Sequence, residues 1–109
     1  MAIQIVSLKD DQLPSSETDL YGPDSGKRAI VKSIRLVNTD TAARTVNLYF
    51  KNGSNPSRCI IPKDLLLAPG ALYVDDSEIT LESTDKIRGK ADTASKVDYV
   101  LSGVERDEA

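Results

Sequence analysis

The chain has 109 residues, with 14 Lys plus Arg against 17 Asp plus Glu, which is the size of one domain and an acidic balance. That balance argues against nucleic acid as the main partner, since phosphate binding needs a basic face. With no His and a single Cys, the sequence excludes Ser-His and Cys-His nucleophiles, His-ligated zinc and an intrachain disulfide. Apolar residues come in short runs, none of a length that spans a bilayer as a helix. The start, Met1 to Val6, has no basic n-region and meets Lys9-Asp10-Asp11 at once, so it does not read as a signal peptide. Synthesis and folding in a cytoplasm are therefore the expectation, and Cys59, ahead of Ile60-Ile61, reads as a small buried apolar residue.

In chain order, residues 3–8 form a short edge strand in which Ile3, Ile5 and Leu8 share a face or wrap around the edge. Residues 9–27 are rich in Asp, Ser, Pro and Gly and read as a long loop, either a mobile arm or a segment ordered by a neighbouring subunit, with Leu20 and Tyr21 as its anchors. Residues 28–38 form the strongest strand. Ile30, Ile34 and Leu36 share one parity and Arg35 the other, while Lys32 breaks the inner parity and calls for a bulge near there or for a strand whose early part lies outside the core. After the turn residues Thr39 to Ala43, residues 44–50 alternate with Val46, Leu48 and Phe50 inward and Asn47 outward. Asn52-Gly53 and Pro56 then reverse the chain.

Pro62 divides residues 58–68 into two short pieces or an edge, with room for one helical turn over 62–66. Pro69-Gly70 turns the chain into residues 71–74, Asp75-Asp76-Ser77 leads to a strand over 79–81, and strands over 86–91 and 97–104 follow. Val97, Tyr99 and Leu101 face inward in the last of these. The sum is an all-β chain, a single antiparallel β-sandwich or jelly-roll-like domain over 1–109 with about eight short strands. In that layout residues 1–27 hold the edge strand and arm, 28–105 the sandwich core, and 106–109 a frayed acidic tail.

Four segments carry a family resemblance: Ile34 to Thr39, Val46 to Phe50, Leu65 to Leu72, and Asp85 to Ala91 running into Val97 to Glu105. Their order, with an Asn-Thr turn after one strand, a Pro-Gly turn before another and Leu101-Ser102-Gly103-Val104-Glu105 at the end, resembles small β-sandwich virion proteins of tailed bacteriophages. The likeness covers residues 30–105 and implies a capsid decoration or cement protein on the outer surface of a phage head. A neck or tail component is the other role that it implies. By that resemblance the partners are the major capsid protein and further copies of the chain, as a dimer or trimer, with neither nucleic acid nor membrane involved. The location is the virion, after synthesis in the host bacterial cytoplasm.

The resemblance implies no enzyme and no cofactor, and the residues point the same way. Asp75, Asp76 and Glu78 offer oxygen ligands of the kind calcium takes, but lack the EF-hand spacing and its glycine, so they read as a solvated turn. Few aromatic residues and no Trp make a poor sugar platform, although loops of a β-sandwich also build receptor sites, which leaves a host-surface or glycan-binding module as a separate reading. The candidate interface residues are Leu20, Tyr21, Tyr49 and Tyr73, as apolar anchors, and Arg28, Arg35, Arg44 and Arg58, as partners for acidic groups. Tyr49, opposite in parity to Leu48 and Phe50, is the surface-facing tyrosine among them.

Overall fold

Alternating inward and outward residues produce ten strands in a computed structural model that describes the backbone of residues 3–107 and the side chains of residues 7–107. They are β1 (Ile3–Gln12), β2 (Thr18–Tyr21), β3 (Lys27–Asn38), β4 (Arg44–Asn52), β5 (Arg58–Cys59), β6 (Leu65–Leu67), β7 (Leu72–Asp75), β8 (Ile79–Leu81), β9 (Asp85–Ala91) and β10 (Val97–Asp107). No helix occurs among the described residues. The expected placement of Ile3 and Ile5 on one face concerns side chains outside the described residues, as does the fraying of residues 108 and 109.

Two antiparallel sheets divide the strands: sheet A runs β1-β10-β3 and then β7 and β8, and sheet B runs β2-β9-β4 and then β5 and β6. β7 pairs with residues 34–37 of β3 and β8 with residues 29–31, so the two share one edge position. β5 and β6 share the far edge of β4 in the same way. Ten segments therefore occupy eight strand positions. The pairs β4 with β5/β6, β3 with β7/β8, β2 with β9 and β1 with β10 nest inside one another, and β10–β3 and β9–β4 contacts close the sheets. This nested ribbon, wrapped so that successive pairs alternate between sheets, is the jelly-roll arrangement.

Between the sheets lies one apolar layer. It includes Leu13, Val31, Ile34 and Leu36 from one side and Val46, Leu48, Ile87 and Ala91 from the other, with Val97, Tyr99 and Leu101 of β10 along its length. Three bulges tune it. Leu8 is the extra residue between the β1 pairs at Ser7 and Lys9, and Leu20 the extra residue between the β2 pairs at Asp19 and Tyr21; both leucines pack on the core. Lys32 is the extra residue of β3, since Ser33 pairs with Ser102 and Val31 with Gly103. Inward parity thus switches from Ala29 and Val31 to Ile34, Leu36 and Asn38. The sequence expectation for Ile30 is corrected here: the bulge lies between it and Ile34, and Ile30 belongs to the outer face. Gly103 is the counterpart of the bulge, because a Cβ there would overlap the Ile30 carbonyl.

The N-terminal stretch is more regular than its composition predicts. β1 continues through Gln12 because β10 supplies a full partner strand, and the Leu13 N–H donates to the Val97 carbonyl at 2.8 Å. The Pro14 carbonyl then accepts from Ala91 N–H at 2.8 Å, carrying the chain from sheet A to sheet B. At the other end β10 runs through Arg106 and Asp107, which pair with Arg28 and Lys27, and the Lys27 ammonium lies 3.8 Å from Glu105 and 3.5 Å from Asp107. Cys59 is a second correction. It is exposed, because β5 is a two-residue edge piece with both side chains exposed, and Ile61 takes the buried place. Over 62–66 a turn replaces the helical one expected, with Asp64 at φ 54°. Asn47 holds it: its Oδ1 accepts Asp64 N–H at 2.9 Å, and its Nδ2 donates to the Asp64 carboxylate at 3.0 Å. Asn47 therefore faces outward, as its parity predicts, yet is buried beneath that turn.

Candidate assembly surfaces

The outer faces of the two sheets differ in kind. On sheet B, Asp19, Arg88, Tyr49 and Cys59 stand in one row across β2, β9, β4 and β5. Arg88 is clamped there, with Nη1 2.8 Å from Glu17 Oε2 and Nε 2.8 Å from Asp19 Oδ1. Ser57 Oγ donates to the same Glu17 oxygen at 2.7 Å, so this cluster ties the loop before β2 and the loop before β5 onto the sheet. Burial, with the Glu17 carboxylate nearby, raises the pKa of Tyr49. Lys51 opposite Lys86 and Lys90 opposite Asn47 complete a charged face, in which Arg88 is paired and the three lysines have no ion pair among the described residues.

Sheet A instead presents β-branched and aliphatic side chains outward. Val37 stands opposite Leu72, Arg35 opposite Val74 and Val100, and Ile30 opposite Val104 and Thr80. Leu72 is 54% and Val74 41% exposed, and Leu66 at the edge of sheet B is 65% exposed. All three lie on the ten residues that flank the Pro69-Gly70 turn, so the corner joining the two sheets is apolar on both sides. Farther along, Arg28, Ile30, Thr80, Val104 and Arg106 line a shallow depression of about 240 Å³. A row of small hydroxyls, Ser7, Ser102 and Ser33, crosses the face between these patches.

The residues singled out from sequence do not converge on one patch. Leu20 is in the core. Tyr21 is half-buried and donates its hydroxyl to Glu105 Oε2 at 2.9 Å, and burial together with that carboxylate pushes its pKa up. Tyr73 points inward beside Leu36 and packs against the core. Arg44 binds Asp40 through Nε and Nη2, holding the Asp40 carboxyl below its usual range, and Arg28 lies 3.4 Å from Glu82. Tyr49 and Arg58 belong to sheet B, whereas Arg35 alone sits amid the apolar side chains of sheet A, exposed and without an ion pair or hydrogen bond among the described residues. The carboxylates of 75–78 have local partners: Asp75 Oδ1 accepts Ser77 N–H at 2.8 Å, and Glu78 pairs with Lys32 at 2.7 Å. Sequence reasoning missed Val37, Leu72, Val74 and Val100. Their signal was weak but present, an apolar residue on the parity opposite to the core.

No protein-family model matches the chain, and no curated protein matches it. Among solved structures it is similar to a chain of the Bacillus endospore appendages, a family of disulfide-linked pili, at TM-score 0.56 and 15% identity over 99% of this chain and 88% of that one. It is also similar to a chain of the acid-stable capsid of Helicobacter pylori bacteriophage KHP30, at TM-score 0.51 and 14% identity over 95% and 92%. A chain of infectious bursal disease virus, Gx strain, matches at TM-score 0.54 and 10% identity; 95% of this chain aligns with only 32% of that one. At these identities the likeness is one of fold.

Proposed function

We propose that this chain is a non-enzymatic structural protein of a virion and, within that class, a decoration protein that binds the outside of a bacteriophage head. The observation that carries the reading is the outer face of sheet A: a jelly roll with one charged face and one that exposes Leu72 and Val74 beside Val37 and Val100 is built to lie against another protein. Likeness of fold to chains of a phage capsid and of a second virus supports it. A clamp of this kind stabilises a shell by binding the assembled state, which needs buried contact area and no reacting groups. The major capsid protein is then its partner, and further copies of the chain, as a dimer or trimer, complete the unit. A disulfide-linked fibre suits the chain less well, since its one thiol joins copies only in pairs.

The test is the copy number of this chain relative to the major capsid protein in purified particles, measured by quantitative mass spectrometry. A ratio between about one and about one third of a chain per capsid subunit supports shell-wide decoration. A dozen or so copies per particle overturns decoration in favour of a neck or tail part, and absence from particles overturns the virion reading altogether.

A further inference from the structure

The register of sheet A places two opposite charges symmetrically about one residue. Asp10 of β1 and Arg35 of β3 both stand opposite Val100 of β10, all three on the outer face. Strands lie about 4.8 Å apart, so each charge is one strand spacing from Val100, on opposite sides of it. Neither Asp10 nor Arg35 makes an ion pair or hydrogen bond among the described residues.

We infer that a second copy of this chain packs face to face on sheet A, about a two-fold axis that runs along β10 through Val100. Such an axis reverses each row of the sheet upon itself. It sets Arg35 of each copy over Asp10 of the other, so both ion pairs form at once, as an isologous interface requires. One row away Ser7, Ser102 and Ser33 meet the same three serines, whose small side chains let the backbones approach. At the following row Val104 meets Val104 across the shallow depression that it lines with Ile30. Val74 and Leu72, one strand beyond β3, fall one strand spacing outside the partner's β1, at the rim of the contact.

The area fits a reversible dimer. Three strands at about 4.8 Å, along a β3 of 12 residues at about 3.3 Å each, give about 570 Å² per copy. The total of about 1,100 Å² passes the roughly 1,000 Å² of a specific interface and stays in the range of weak ones. Two contacts oppose the pairing: Asp98, in the row that holds Gln12 and Val37, and Arg106, in the row that holds Arg28, each meet their own copy on the axis.

This inference rests on the assembly reading above and divides its surface: copies meet on β1, β10 and β3, and the corner with Leu66, Leu72 and Val74 stays open to the shell. Its test uses the isolated full chain, so its failure leaves the particle measurement untouched. Sedimentation equilibrium over rising concentration is expected to show a monomer–dimer equilibrium. Arg35→Glu and Asp10→Lys each weaken it about ten-fold or more, and the double variant restores it, because the charges are exchanged and not lost. Asp98→Asn tightens it. Thermal unfolding of each variant verifies that the fold persists, since all three positions lie at exposed or half-exposed sites on the sheet surface. A monomer at every concentration overturns the inference, and so does a dimer indifferent to Arg35→Glu.

Discussion

Asn38 is completely buried, and its side chain joins two distant turns. Nδ2 donates to the carbonyls of Ala42 at 2.9 Å and Leu67 at 3.0 Å, and Oδ1 accepts Asp40 N–H at 2.9 Å. Its backbone accepts Gly70 N–H and donates to the Ala71 carbonyl, so the Asn-Thr turn and the Pro-Gly turn form one corner. Asn38→Ala strands those buried carbonyls and is expected to cost about 3 kcal/mol, read as a lower urea midpoint at unchanged slope. Each turn was legible in the sequence by itself. Their junction was not, because nothing local signals a partner about thirty residues away. Tyr99 supplies the pH dependence at this scale. Burial foremost, then Asp11 and Asp10, pushes its phenol up to about 12, against about 10 in an unfolded chain. The unfolded state therefore releases the proton first: the stabilisation is whole below about pH 10 and is lost as pH rises toward about 12. Tyr21, also raised, adds to the same loss. Tyr99→Phe is expected to flatten the decline of unfolding free energy over that window, and a decline of unchanged depth in the variant would count against this account.

Among the elements, the bulge at Lys32 governs the most side chains. A side-chain period of two means that removing one residue from a strand reverses the face of everything on one side of it. Deleting Lys32 would turn Ala29 and Val31 out of the core, or else Ile34 and Leu36, and is expected to abolish cooperative unfolding and amide dispersion in the NMR spectrum. Lys32→Ala keeps the backbone register and loses only an exposed ion pair with Glu78, so its cost is expected to stay below about 1 kcal/mol. If the two variants behaved alike, the register argument would fail. The break itself was legible, since a charged residue interrupted an otherwise regular parity, but that pattern fits a bulge and a strand begun outside the core alike, and the pairing with β10 decides for the bulge. β2 was not: four residues with a single buried side chain, Leu20, leave no period to read. Cys59 misled for a related reason. Its neighbours Ile60 and Ile61 indicated a buried run, but a two-residue edge strand is decided by its partner β4 and not by its own composition.

At the scale of the molecule, the fold class follows from turn signals at short intervals and from the absence of any helical period, and those are properties of the whole sequence. The candidate surface was less accessible. Tyrosine and arginine drew attention as the usual anchors of interfaces, yet Leu20 and Tyr73 went inward and Arg44 and Arg28 found acidic neighbours within the chain. The surface that remained open is built of valine, leucine and isoleucine beside Arg35; local parity places Val37 and Val100 outside, but which of these residues stand together depends on strand pairing that no local pattern reveals.

The position of β10 has a consequence for how the chain acquires its shape. It lies between β1 and β3 and, among the described residues, alone bridges them. During synthesis the last of the ten strands to leave the ribosome is thus the one that holds the middle of sheet A. Until residues 97–107 emerge, β1 has no strand to pair with, and the apolar residues of β3 and β4 face a half-built layer. Because most pairings join residues far apart in sequence, folding is expected in the slow range of all-β domains, milliseconds to seconds. It is also expected to be strongly all-or-none, because the apolar layer shared by the two sheets closes only when β10 slots in.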